Sequence, residues 1–134
     1  MQDRFKFRAW NKENKKYIYG VEKGLEFYST AGNLRVMTLA EIEESDKYDL
    51  EQCTGHRDYK GKLIYVNDIL NLKRVPNLYQ CVFSHTRVGF DFKPLNTEYK
   101  WNDFSTINSA DDFLNHCVIT GNIHENPELL EKDK

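Results

Sequence analysis

The side chains best suited to chemistry in this sequence are three cysteines and four histidines. Cys53 precedes His56 by three residues, Cys81 precedes His85 by four, and His116 adjoins Cys117. Structural zinc is held by two close Cys or His pairs at recurrent spacings, which these positions lack. Adjacent residues of a strand point to opposite faces, so His116 and Cys117 could not both turn toward one ion. The cysteines therefore read as small buried hydrophobes, and no metal site is expected. A hydrolase would need a thiol or hydroxyl beside an oriented base. Cys53 with His56 is the pair to weigh, provided both lie in an exposed cleft, whereas Ser84 and His85 diverge on a strand. No G-x-S-x-G elbow, phosphate-cradling glycine loop, dinucleotide fingerprint or H-E-x-x-H is present. The chain is accordingly expected to be no enzyme, with no catalytic set and no cofactor.

Binding chemistry is better supplied. Eighteen aromatic residues and scattered cations could serve a single strand of nucleic acid, which is held by rings stacking on bases beside a positive groove. Lys62, Lys73, Arg74 and Arg87 are the cations that could form such a patch. Phe83, Phe90 and Phe92 sit at strand spacing, where burial is the default. Tyr59 differs, because it lies between Gly55 and Gly61 with no alternating strand in which to hide. It is the candidate anchor for a protein partner, since exposed aromatics carry much of the energy at small interfaces.

Strands must position these groups. In Arg4-Phe-Lys-Phe-Arg-Ala-Trp10, Phe5, Phe7 and Ala9 alternate with Arg4, Lys6 and Arg8. Asn11-Lys-Glu-Asn14 offers a turn and Lys16-Tyr-Ile-Tyr19 a returning strand, which makes residues 4 to 19 a hairpin. Leu25 to Tyr28 and Leu34 to Met37 flank Ala31-Gly-Asn33 as a second hairpin. Thr38-Leu-Ala-Glu41 is a capping box that opens a helix of about two turns over residues 38 to 45. A short extended piece, Leu50 to Thr54, leads to the polar loop Gly55 to Gly61. Strands follow at 62 to 66, 68 to 73, 79 to 85, 88 to 93 and 117 to 123. Ser109 to Leu114 can start a turn of helix, and Pro127-Glu-Leu-Leu130 a last one.

At 134 residues, with 40% hydrophobic and 30% charged residues, the chain has the composition of one folded domain of ordinary size. The net charge of -2 gives no long-range attraction to nucleic acid or to an anionic membrane. Charge nevertheless falls in blocks: net +4 over residues 1 to 35, -5 over 36 to 53, +4 over 54 to 100 and -5 over 101 to 134. Three unevenly spaced cysteines suit a reducing compartment. The charged N-terminus lacks the apolar stretch of a secretory signal, and Leu63 to Val66 is far too short to cross a bilayer. A cytoplasmic protein with no membrane contact is expected.

Three blocks carry a resemblance. Phe5-Lys-Phe-Arg-Ala-Trp-Asn11 is similar to an opening F-R-A-W-D. Gln52-Cys-Thr-Gly-His-Arg-Asp-Tyr-Lys-Gly-Lys-Leu-Ile-Tyr-Val-Asn-Asp-Ile69 is similar to a central Q-Y-T-G-L-x-D-x-x-G-x-x-I-Y-E-G-D-I. Val118-Ile-Thr-Gly-Asn-Ile-His-Glu-Asn-Pro-Glu-Leu-Leu130 is similar to a closing I-G-N-I-Y-E-N-P-E-L-L. Together they resemble the YopX family, small proteins encoded by bacteriophages and prophages. The chain departs from the pattern at Cys53, His56 and His124, and where Val66-Asn67 replaces Glu-Gly. Asn67 can still take the positive φ that a glycine supplies.

The resemblance implies a fold more than a function: a mainly β protein, with a small Src-homology-3-like barrel preceded by an N-terminal β-hairpin region, and a tendency to self-associate. The division expected is 1–53 for the hairpin region with its short helix and 54–134 for the barrel and tail, in one compact unit. The barrel, from about residue 60 to 124, is expected to pack on Ile64, Ile69, Val82, Phe83, Phe90 and Ile119. The blocks themselves read as fold determinants. Function is expected to be that of a phage or prophage accessory protein in the bacterial cytoplasm, binding a phage or host protein. Nucleic-acid binding is the alternative.

Overall fold

The computed structural model describes residues 3–72, 78–84, 89–95, 102–103 and 117–130. Strands dominate. They divide between two compact units, Met1–Cys53 and Thr54–Lys134. In chain order they are β1 (Phe7–Asn11), β2 (Lys16–Tyr19), β3 (Leu25–Tyr28), β4 (Leu34–Met37), β5 (Tyr48–Arg57), β6 (Leu63–Tyr65), β7 (Asp68–Leu72), β8 (Leu78–Ser84), β9 (Gly89–Pro94), β10 (Asn102–Asp103) and β11 (Cys117–Asn122). The α-helix, α1, covers Leu39–Glu44, and single 3-10 turns stand at Asp3–Phe5, Val21–Lys23 and Pro127–Leu130.

In the first unit β1 lies between β2 and β5, antiparallel to both. One face of this sheet packs on Ala9, Val21 and Ile42, with Phe7, Ile18, Leu39 and Leu50 around them. Helix α1 is too short to hold by propensity and depends on this packing of Ile42 and on its cap. The expected capping box is present: the Glu41 amide donates to Thr38 Oγ1 at 3.3 Å, and the Thr38 amide to Glu41 Oε1 at 3.1 Å. The ribbon of β3 and β4 forms as expected, a two-stranded sheet of its own.

Two expectations for the opening segment fail. Its first residues do not extend the hairpin: Asp3–Phe5 is a 3-10 turn and Phe5 is half exposed. Arg8, on the face expected to be polar and open, is buried. It is paired across the sheet with Glu51, Nε to Oε1 at 2.7 Å, beneath the Tyr17 ring 4.1 Å away. An alternating pattern reports which face a residue is on, and not whether that face is covered.

In the second unit the sheet order is β10-β9-β8-β7-β11, antiparallel throughout and curled as a half-barrel. Its core is Ile64, Leu70, Tyr79, Cys81, Phe92 and Cys117, with Ile119 packed against it and Ile69 also buried. Val82, Phe83 and Phe90 correct the expected core list. Val82 and Phe83 are neighbours in β8 and point to opposite faces, so one face cannot bury both. Phe83 shares the face of Cys81, but it stands one rung further toward the β8 to β9 turn, opposite Phe90. There the core has run out: the two rings meet edge to face, 5.6 Å apart, with Phe83 exposed and Phe90 half-buried.

Strand β5 is the other correction. It does not stop at Thr54 but runs on to Arg57, so the polar loop shrinks to residues 58 to 62. The turn of helix expected at Ser109 to Leu114 lies outside the described residues. No described helix is long and apolar enough to cross a membrane.

Candidate functional site

The 58–62 turn is built around one carboxylate. Asp58 is buried, and its Oδ1 accepts from the Lys60 and Lys62 amides, each at 2.9 Å, while Oδ2 accepts from the Ile119 amide at 3.0 Å. Two backbone bonds close the turn, the Asp58 amide to the Lys62 carbonyl at 2.9 Å and the Gly61 amide to the Asp58 carbonyl at 3.0 Å. Gly61 has φ +86°, a conformation that L side chains rarely adopt. A further bond, from the Tyr59 amide to the Cys117 carbonyl at 2.8 Å, ties the turn to β11. The approach along β5 is fixed in the same way. At Gly55 the strand kinks with φ +85°, the Thr54 hydroxyl donates to the Ile64 carbonyl at 2.9 Å, and it accepts from the His56 amide at 3.1 Å.

These anchors are directed inward, and what remains outside is cationic and aromatic. His56, Arg57, Tyr59, Lys60 and Lys62 are all exposed, the Tyr59 residue by 58%. Arg57 Nη1 reaches the Gly61 carbonyl at 2.7 Å and braces the turn from the outer side. Of the residues singled out in the sequence, Tyr59 and Lys62 thus come together on one turn. Lys73, Arg74 and Arg87 lie outside the described residues.

Cysteine chemistry is closed off. Cys53, Cys81 and Cys117 are free thiols and fully buried. His56 is exposed where Cys53 is not, so the open cleft that a Cys53 and His56 hydrolase requires is missing at the thiol. Burial pushes the Cys117 thiol up to about 12, with the nearby Asp58 charge acting in the same direction. Such a thiol is protonated at neutral pH and a poor nucleophile. Among the described residues no cluster of three or more His, Cys, Asp or Glu is placed to hold a metal ion.

The remaining motif residues act on the fold. Asn67 has φ +75°, the left-handed conformation that the sequence allows it. Its amide donates to the Cys81 carbonyl at 2.8 Å, and its carbonyl accepts from Ile123 at 3.1 Å. Asp68 Oδ2 accepts from the Tyr65 amide at 2.8 Å. Asn122 shapes the turn after β11 through Oδ1, which accepts from the His124 and Glu125 amides at 3.1 and 2.9 Å. A Cβ at Gly121 would lie 2.3 Å from Asn126 Oδ1, so a larger residue there would force the Asn126 side chain to move.

A second surface was not singled out in the sequence. On the β3 and β4 ribbon, Tyr28 pairs with Leu34 and Glu26 with Val36, which places Tyr28, Leu34 and Val36 on one face. They are 75%, 55% and 53% exposed. Phe27, on the other face, is 42% exposed. The signal was available: Phe27-Tyr28 puts one ring on each side of a ribbon only two strands wide, and the unit has a single small core to cover them.

The family model described as YopX protein matches residues 6–131. The crystal structure of protein EF1440 from Enterococcus faecalis is similar over 93% of this chain and 96% of that one, with 21% identity and a TM-score of 0.56. At that identity the likeness speaks for the fold alone. No curated protein is a significant match.

Proposed function

The chain belongs to the YopX family, and from that premise we propose that it is a non-enzymatic accessory or adaptor protein, encoded by a phage or prophage, that acts by binding another protein in the bacterial cytoplasm. The observation carrying this reading is the outward face of the β3 and β4 ribbon. Three apolar side chains lie together there, on strands that pair only with each other among the described residues. An isolated two-stranded ribbon is marginal in water, and apolar residues clustered on it gain from being covered. A partner chain would supply both main-chain pairing along an edge and apolar contact over the face. The buried, protonated Cys117 thiol supports a role without nucleophilic catalysis.

A pull-down from phage-infected or lysogenic cells tests the reading, with wild type beside the triple variant Tyr28→Thr, Leu34→Thr, Val36→Thr. Threonine keeps strand propensity at exposed positions while removing the apolar face. The expected outcome is a protein partner recovered by wild type, unaffected by nuclease and lost with the triple variant. Capture that nuclease abolishes, or that the variant retains, would refute it.

A further inference from the structure

The outer side of the 56–62 segment has a chemistry unlike that of the apolar ribbon. Its one carboxylate, Asp58, is turned inward and engaged by three amides. Arg57, Lys60 and Lys62 are exposed on this segment, as are His56 and Tyr59 beside them. We propose that this rim is a second binding surface, separate from the ribbon, which takes single-stranded nucleic acid: a base stacks on Tyr59 while Arg57, Lys60 and Lys62 contact phosphates.

Two observations favour this ligand. Tyr59 is more than half exposed as a residue although its backbone is fixed at the Tyr59 amide, at both neighbouring turn bonds and at Asp58. A platform held in this way loses little freedom when a base settles on it, and every base has a π-face to offer. An acidic polypeptide would use the cations but leave the ring without a flat partner. In a duplex the base faces are already stacked on one another, so the ring could not reach them. The hydrogen bonds that shape the turn run through the Lys60 and Lys62 backbone amides, which leaves both ammonium groups available without disturbing the fold.

Net charge sets the scale. At -2 the chain has no global attraction to a polyanion, so binding is local, and its salt dependence counts only the contacts on this rim. Three phosphate contacts to a single strand give a slope of about -2 in log K against log salt.

Fluorescence anisotropy of the full chain with fluorescein-labelled oligothymidylate, begun at low salt, tests the proposal. Saturable binding in the micromolar range with that slope is expected. Tyr59→Ala should weaken it about tenfold and leave the slope unchanged, since stacking releases no counterions. Tyr59→Phe should restore it. The double variant Lys60→Glu, Lys62→Glu should weaken binding further and flatten the slope from about -2 to about -0.7 or shallower. Unchanged thermal unfolding of these surface variants shows that the fold is kept. Failure to bind oligothymidylate, equal binding by Tyr59→Ala, or equal affinity for a labelled oligoglutamate or a duplex of the same length would each overturn the proposal. None of these outcomes bears on the ribbon, whose partner is tested independently.

Discussion

At the scale of single residues, burial rather than residue type decides what the reactive groups do. Cys117 is the clearest case. In the fold its thiol is raised from 9.0 to about 12, chiefly by burial and further by Asp58, so the fold favours the protonated form. The resulting stabilisation is complete below pH 9, where both the folded and the unfolded chain carry the proton. It falls as pH rises toward 12, because the unfolded chain then releases a proton that the folded chain retains. Wild type should therefore lose more stability between pH 9 and 12 than Cys117→Ala does, as read from the urea midpoint of each across that range. A steeper loss in Cys117→Ala would contradict the assignment. The sequence told part of this story. It marked all three cysteines as buried hydrophobes, and Asn67 as a residue able to take positive φ, because such preferences are local. Arg8 escaped it, since a buried guanidinium depends on Glu51 and Tyr17, which lie on two other strands and become neighbours only through cross-strand register.

Among elements, most strands were legible from alternation and turn residues, and their ends differ from expectation by a residue or two. The exceptions share a cause. Gly55 reads as a loop glycine, yet β5 passes through it as a kinked strand held by Thr54, so a local breaker is overridden by tertiary hydrogen bonds. Likewise Phe83 and Phe90 follow a core pattern past the point where the core ends. The 58–62 turn and β11 are separated by more than fifty residues, and Asp58 joins them. Asp58→Ala would leave the Lys60, Lys62 and Ile119 amides without that acceptor, and at least part of that group is shut from water. Urea unfolding should show a loss of about 3 kcal/mol. Asp58→Asn keeps an acceptor oxygen for the Lys60 and Lys62 amides but sets an amide donor against Ile119, and should lose less. A cost below about 1 kcal/mol for the alanine variant would mean that the carboxylate does not clamp the turn to β11.

For the whole molecule the informative quantity is what folding leaves uncovered. Composition and net charge indicated a folded, nearly neutral protein, and neither locates a surface. The ribbon does: among the described residues its two strands pair only with each other, three apolar side chains share one face, and natural sheets rarely leave an edge without a cover. A second copy of the chain is one available cover, because a two-fold interface lets the same patch meet itself. The family resemblance implies self-association, and while one face of the first hairpin's sheet holds the buried Arg8 and Glu51 pair with Trp10 and Tyr17, the β3 and β4 ribbon presents an apolar face. The β3 and β4 ribbon is the better place for it. With no partner present to take the face, sedimentation equilibrium of the purified chain should accordingly give a mass above 15.9 kDa that rises with concentration. Salt should change it little, since the contact is apolar, and the triple threonine variant should return it to the monomer. A mass near 15.9 kDa at every concentration would exclude the self-pairing and leave the ribbon to a different protein. An oligomer unaffected by the variant would place the interface elsewhere on the chain.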